Sequence, residues 1–352
     1  RVQAAAAAHE CAAIAIGTLP TAGLDELAFD RAVTAEARYA ALGTRLTDER
    51  ADDEIAIEGE EHLSLRLPGI AAEGTMSALQ VHLRVDPARF AATLNAAHLA
   101  SAPVLALAAN SQFVLGRSLW PESRIALFRQ VVDGARPHPG HPSRAPLAHG
   151  WLRGSAYELF VENVRMYAAL LPVSGSEPDR ALHALRLHSG TIWRWNRPVV
   201  EPGDEGHVRM ELRVLPSGPT VADMVANATF ILGLTLALAE DSALVESVPF
   251  AAAEANRIAA ARDGLDATIL WPAAEAPSPR PRPLRRLAAE MLPHAREALI
   301  AAGVAPGDVD RNLAIIERRL ARGVTGATWQ RAAVAAREEA IGREGAITEM
   351  LR

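Results

Sequence analysis

One segment, His207 to Pro219, limits the possible folds more than any other part of the 352-residue chain. Its apolar and polar residues alternate one by one, with Val208, Met210, Leu212 and Val214 on one face and His207, Arg209, Glu211 and Arg213 on the other. A period of two is typical of a β-strand with one buried face. The segment therefore predicts a strand of a one-sided sheet, followed by a Pro-Ser-Gly-Pro turn and an apolar helix.

The polar face of this strand carries a carboxylate between two guanidinium groups, in the order Arg209, Glu211, Arg213. A strand that simply faces solvent can show the same alternation. The regular change of charge favours a second interpretation, because carboxylates bind divalent cations and arginines bind phosphate oxygens. A site that holds a metal ion and a phosphate together and a plain solvated face both remain open at this point.

Composition excludes several classes of function. The net charge is −6 and no long basic run occurs, which argues against nucleic acid as a partner. All 36 basic residues are arginine, so lysine chemistry, including the P-loop lysine and Schiff bases, is excluded. Phosphate binding would have to use arginine, backbone amides or a metal. The single cysteine, Cys11, excludes a disulfide framework and fits a reducing cytoplasm.

The remaining patterns predict an α+β fold. Short strands are expected at 55–59 and 62–67, and a longer one at 75–85 with Gln80, His82 and Arg84 on its polar face. A helix is expected after Asp86-Pro87 and should break at Pro103. The apolar run Val221–Ala239 contains Asp223 and Asn227, which favours a buried helix over a membrane span.

The C-terminal third is expected to be helical, over 284–303, 308–322 and 326–351. We predict a sheet-and-helix catalytic domain over 1–250 and a helical region over 251–352 that packs on the same domain.

A loop at 133–150 contains three histidines, His138, His141 and His149, but no helical spacing unites two of them, so a metal site there is disfavoured.

A polar and aromatic segment, 188–198, precedes the central strand. One interpretation is a hairpin with packed tryptophans. The other is an arginine fork made by Arg194 and Arg197 beside an aromatic wall that includes Trp193, which would suit an anionic substrate.

Five stretches in order resemble the glutamate–cysteine ligase type 2 family of carboxylate–amine ligases: SALQVHLRVD, APVLALAANSQFVLG, GTIWRWNRP, RMELRVLPSGPT and GVTGATWQR. They span nearly the whole chain. The resemblance implies a glutamine-synthetase-like fold, in which an antiparallel sheet forms a cleft backed by helices. The family's E-x-E segment and its second pair of glutamates are not found, so the N-terminal strands are expected to be missing and the sequence to be a truncated fragment.

The resemblance also implies residue roles. Glu211 is expected to bind magnesium, with Gln80 at the place of a metal-binding histidine. Arg213, Arg194 and Arg197 are expected to contact the transferred phosphate and the substrate. His82, Arg209 and Arg213 are expected to contact the nucleotide phosphates. The residues expected to contact the substrate are Trp193, Asn110, Ser111 and Arg124.

The function implied is an ATP- and magnesium-dependent ligase that forms an amide through an acyl phosphate. Its partners would be an amino acid and an amine in the cytoplasm, without nucleic acid or membrane, and a homo-oligomer is left open. Two alternatives remain: an inactive homologue that binds nucleotide or amino acid, and a phosphotransferase similar to guanidino kinases.

Overall fold

The computed structural model describes residues 1–49, 54–66, 70–134, 140–171, 182–272 and 278–352. Helices and small antiparallel sheets occur together there, which confirms the α+β class. The helices are α1 Val2–Ala7, α2 Phe29–Ala32, α3 Ala37–Glu49, α4 Phe90–Ala108, α5 Ser123–Asp133, α6 Tyr157–Met166, α7 His183–Gly190, α8 Val221–Ala239, α9 Ser242–Ser247, α10 Phe250–Asp263, α11 Leu284–Ala301, α12 Pro306–Arg322 and α13 Gly326–Leu351. The strands are β1 Glu54–Glu58, β2 His62–Arg66, β3 Val81–Arg84, β4 Phe113–Val114, β5 Arg117–Ser118, β6 Asn196–Glu201, β7 His207–Leu212, β8 Thr268–Trp271 and β9 Arg280–Pro283.

The sheet that carries the predicted site has three antiparallel strands in the order β3-β7-β6. Its register pairs Glu211 with His82 on one side and with Arg197 on the other. These three residues therefore form one row across the sheet. The strand predicted at 75–85 is shorter in the structure, and upstream of Val81 only a bridge from Ala78 to Pro216 continues the pairing. Two backbone hydrogen bonds flank this bridge, from Leu79 to Leu215 and from Ser217 to Ser77.

The other face of this sheet packs on α4. Met210 and Leu212 are fully buried there, and Asn196 donates a hydrogen bond of 3.1 Å to the hydroxyl of Ser101 on α4. Nearly every residue of α4 is buried, including Pro103. The expected break at Pro103 is wrong. The ring of Pro103 costs one backbone hydrogen bond. The helix α4 continues because apolar neighbours enclose it on all sides.

Within the described ranges, two helical segments are long and apolar enough to cross a membrane by length and composition. The segment Pro87–Ala108, which contains α4, is 94% buried over its most apolar window, and α8 is 44% buried. Both helices pack against other helices of the chain, since α8 lies between α4 and α11.

The largest hydrophobic cluster in the described residues extends from Val85 to Leu320. It includes residues of α4, α8, α10, α11 and α12, so these helices share the core of the sheet, whereas buried residues of α13 pack in a separate cluster with Phe113. The three predicted C-terminal helices are confirmed as α11, α12 and α13, with ends shifted by one or two residues. The domain boundary at residue 250 stays a prediction.

Acid should destabilise this core through His98, which is fully buried on α4. Burial, together with the charges of Arg194 and Arg257, lowers its pKa from about 6.5 to about 3. Between these two pH values the unfolded chain binds a proton that the folded chain does not. The free energy of unfolding should therefore fall by about 1.4 kcal/mol for each pH unit below 6.5.

Urea unfolding of the wild type and of His98→Gln between pH 7 and pH 4 measures this contribution. Glutamine keeps an acceptor for Asn196, whose amide lies 3.2 Å from Nδ1 of His98, but it does not titrate. The variant should lose less stability with acid than the wild type. Equal slopes would contradict the prediction, because carboxylates common to both proteins cancel in the comparison.

Candidate active site

The centre of the polar face is Glu211, whose carboxylate lies between two arginines. Nε of Arg197, its neighbour on β6, donates to Oε2 over 2.7 Å. Nε of Arg213, two residues along the same chain, lies 3.3 Å from Oε1, but the angle does not make a hydrogen bond and this buried N–H has no partner among the described residues. Glu211 itself is only 3% exposed. The arrangement joins two guanidinium groups through one buried carboxylate and leaves Nε of Arg213 without a hydrogen-bond acceptor in the described part of the chain.

The more exposed part of the same face contains His82 and Arg209. Nε of Arg209 donates to Nδ1 of His82 over 3.2 Å, and its Nη1 lies 3.4 Å from a carboxylate oxygen of Glu201. Glu211 and Arg213 lie next to this pair on the same face of the sheet. Of the four residues expected to converge on one anionic ligand, His82, Glu211 and Arg213 lie on one face of the sheet, and Gln80 lines a cavity together with Arg213.

A small cavity of about 160 Å³ lies at the other end of the row. Four of the predicted site residues line it: Gln80, Arg124, Trp193 and Arg213. Phe128 and Trp195 provide further aromatic walls, and Glu73 contributes a carboxylate. Cavities that hold drug-sized ligands measure about 300–1,000 Å³, so this one has room only for a small molecule.

Arg124 is fixed in the wall of this cavity by three contacts. Nε donates to the carboxylate of Glu122 over 3.2 Å, and Nη2 donates to the carbonyl of Val214 over 2.5 Å. Its guanidinium also lies over the ring of Trp195 at 5.4 Å. The side chain is almost fully buried, so its direction is set before any ligand arrives.

Asn110 and Ser111 lie behind Arg124 and do not line the cavity. The hydroxyl of Ser111 and the backbone N–H of Asn110 both donate to Glu122. Asn110 also accepts a 2.7 Å hydrogen bond from Gln330 of α13. The expectation that these two residues face the substrate is therefore corrected. They belong to the buried network that supports Arg124, because their polar groups point to other protein atoms.

Arg194 is not part of the polar row, and the expected fork of Arg194 and Arg197 is wrong. Positions three apart on an extended strand point to opposite faces. Arg194 is 1% exposed, donates to Asn163 over 2.8 Å and pairs with Glu162 at 2.5 Å on α6. Its side chain joins the strand to α6, and only its backbone carbonyl approaches the site, 3.4 Å from Nη1 of Arg213.

The electrostatics of the site favour an anion. Burial lowers the pKa of Arg213 to about 10, and the neighbouring charge of Arg197 contributes in the same direction. Burial raises the pKa of Glu73, and the charge of Arg213 opposes that shift. Three guanidinium groups, those of Arg124, Arg197 and Arg213, thus lie close together beside three carboxylates, those of Glu73, Glu122 and Glu211. The charge of Arg197 acts against that of Arg213, and a negatively charged ligand would relieve this repulsion.

The model of the glutamate–cysteine ligase family 2 (GCS2) matches residues 1–348. The chain belongs to this family. No curated protein sequence is detectably similar to it. The general activity of the GCS2 family is ATP-dependent ligation of a carboxylate to an amine, and the anion-binding geometry is consistent with that chemistry.

In this GCS2 chain, the residues that the sequence analysis missed as contributors to the site are Glu73 and Glu122. Glu73 lies on a short 3-10 helix, Ala71–Thr75, which has no periodic pattern to reveal it. Glu122 stands two residues before Arg124, but its role depends on Asn110 and Ser111, which follow α4 and lie 12 and 11 residues earlier in the chain. The sequence signal that could have indicated Glu122 is its closeness to Arg124, which was expected to bind the substrate.

The described residues do not by themselves make a magnesium centre. Magnesium prefers oxygen ligands in octahedral geometry, whereas no group of three or more metal-binding residues occurs in the described part of the chain. The carboxylate of Glu211 is already occupied by two arginines, whose charges repel a cation. In this arrangement Glu211 orients arginines, and no step of the chemistry below depends on a metal bound to it.

Proposed function

We propose that this protein is an ATP-dependent carboxylate–amine ligase that activates its carboxylate substrate as an acyl phosphate. The observation that carries the proposal is the arginine pair, Arg197 and Arg213, joined by Glu211 beside the small cavity. Family membership supports the same reaction class, and it supports a glutamine-synthetase-like fold for the sheet.

The cavity would hold the carboxylate substrate next to Arg124 and Arg213. A carboxylate oxygen attacks the terminal phosphorus of ATP, the bond to the bridging oxygen breaks, and ADP leaves with that electron pair. Negative charge spreads over the transferred phosphoryl group in this step. Arg197 and Arg213 would stabilise it through the charge and the N–H donors of their guanidinium groups.

The amine then attacks the carbonyl carbon of the acyl phosphate. The carbon–oxygen bond to the phosphate breaks, the amine loses a proton, and amide and phosphate are released. This sequence needs no covalent protein nucleophile. The protein's contribution is to hold three reactants in position and to balance charge.

A nucleotide is too large for a cavity of about 160 Å³, so ATP would lie on the open polar face with its phosphates near His82 and Arg209. We propose that magnesium enters as part of MgATP, since protein-bound magnesium commonly keeps substrate phosphates as ligands. The proposed substrates are an amino acid, with glutamate first to be tested, and a small amine. The proposed location is the cytoplasm, with no nucleic-acid or membrane partner.

The test is ADP release by the purified chain with ATP, an amino acid and an amine, with and without magnesium. Continued ADP release should require all components. The control omits the amine, which stops turnover at the acyl phosphate and limits ADP to about one equivalent per site. Absence of ADP across a broad panel of acids and amines, from protein shown to be folded, would contradict the ligase proposal.

Two further measurements separate the two alternatives. A phosphotransferase would yield a stable phosphorylated product instead of free phosphate, which phosphorus NMR distinguishes. An inactive homologue would bind nucleotide or amino acid in calorimetry without turnover.

A further inference from the structure

Glu73 is the one carboxylate among the described residues that line the small cavity. Arg124 and Arg213 line the same cavity, and the charge of Arg213 acts on Glu73. No ion pair or hydrogen bond in the described part of the chain engages the Glu73 carboxylate. Glu73 is an exposed residue, so a carboxylate without a partner lies at the open side of a cavity that two positive groups also line.

The backbone holds Glu73 at this place. The hydroxyl of Thr75 donates to the carbonyl of Ala72 over 2.7 Å, and the N–H of Met76 donates to the carbonyl of Glu73 over 3.0 Å. The N–H of Leu19 donates to the carbonyl of Thr75 over 2.7 Å, which ties the turn to another segment. The 3-10 helix that carries Glu73 is thus anchored within itself and to its surroundings.

The charges of the cavity match a ligand that carries both signs. The two arginines attract a carboxylate, but Glu73 repels a ligand that is only anionic. A ligand with an ammonium group beside its carboxylate would satisfy all three side chains. Charge-assisted hydrogen bonds of this kind are about twice as strong as neutral ones.

We infer that Glu73 is a specificity-determining residue, which makes the cavity select an α-amino acid over the same acid without its amino group. This inference rests on the proposed function and deepens it. Glu73 would accept hydrogen bonds from the ammonium group of the substrate, while Arg124 and Arg213 receive a carboxylate.

A simpler role for Glu73 is to balance the charge of Arg213. The two roles predict different outcomes when the carboxylate is removed. Loss of charge balance alone would change the binding of every anionic ligand by a similar factor. Loss of ammonium recognition would weaken binding of the amino acid and strengthen binding of the acid that lacks the amine.

The experiment is calorimetric titration of the whole chain with L-glutamate and with glutarate, which differ only in the ammonium group. The wild type should bind L-glutamate about tenfold more tightly or better, a factor typical of one charged hydrogen bond. In Glu73→Gln this preference should vanish and glutarate should bind more tightly than to the wild type. The matched control is Glu339→Gln, an exposed glutamate of α13 outside the residues that line the cavity, which should keep the preference.

An unchanged preference in Glu73→Gln, or equal binding of the two ligands by the wild type, would overturn the inference while leaving the ligase proposal to the turnover assay. If the wild type bound neither ligand, the cavity would not be the amino-acid site, and the inference would fail with it. Circular dichroism melting of each variant establishes that the protein compared is folded.

Discussion

Replacing Glu211 by glutamine should lower ADP-forming turnover by about 100-fold or more. Removing one partner of a buried ion pair costs about 3–5 kcal/mol, and Glu211 is the shared partner of Arg197 and Arg213. Without its charge, the two guanidinium groups repel each other, and the geometry that would receive the phosphoryl group is lost. Part of the cost would appear as reduced stability and part as reduced turnover.

Steady-state kinetics with urea unfolding of the same variant separate the two parts. The matched control is Glu201→Gln, which removes a carboxylate from β6 of the same sheet. Glu201 is 44% exposed at its side chain and lies 3.4 Å from Arg209, so the change should cost less than about 1 kcal/mol. Turnover of Glu211→Gln within a few-fold of the wild type would show that the arginine pair needs no buried carboxylate.

Replacing Glu122 by alanine should reduce the free energy of unfolding by about 3–5 kcal/mol. The carboxylate is fully buried and accepts from the Ser111 hydroxyl, the Asn110 backbone N–H and Nε of Arg124. Its loss leaves a buried guanidinium without a counter-charge and two donors without an acceptor. Burial already raises the pKa of Glu122, with the charge of Arg124 opposing the shift.

Chemical denaturation measures this loss, and Glu240→Ala provides the comparison. Glu240 pairs with Arg89 on the surface, where both side chains are more than half exposed, and such pairs contribute about 0–1 kcal/mol. The double variant Glu122→Ala with Arg124→Met should recover part of the stability, since it no longer buries an unpaired charge. A single variant as stable as the Glu240 control would show that the pair contributes little.

The polar row could be predicted because strand alternation fixes which residues share a face. Arg209, Glu211 and Arg213 follow from the sequence of β7 alone, and the pairing with His82 needs only a neighbouring strand with the same pattern. Strand alternation also places Arg194 and Arg197 on opposite faces, because they are three positions apart. The family resemblance assigned both residues to one site, and that assignment conflicts with the alternation.

The support behind the cavity could not be predicted, because it joins segments distant in sequence. Gln330 and Asn110 are 220 residues apart, and nothing local in either segment specifies their hydrogen bond. Pro103 is a second case in which the local sequence does not determine the structure. Its local effect ends helices in most contexts, but enclosure within the core prevails over it here.

The hydrogen bond from Gln330 to Asn110 has a consequence for the order in which the protein matures on the ribosome. Synthesis proceeds from the N-terminus, and early segments begin to fold before later ones exist. The strands and Arg124 emerge long before Gln330, which is the last member of the network in chain order. A nascent chain should therefore acquire its central sheet first, and become competent to recognise its small ligand only after α13 has been translated and docked.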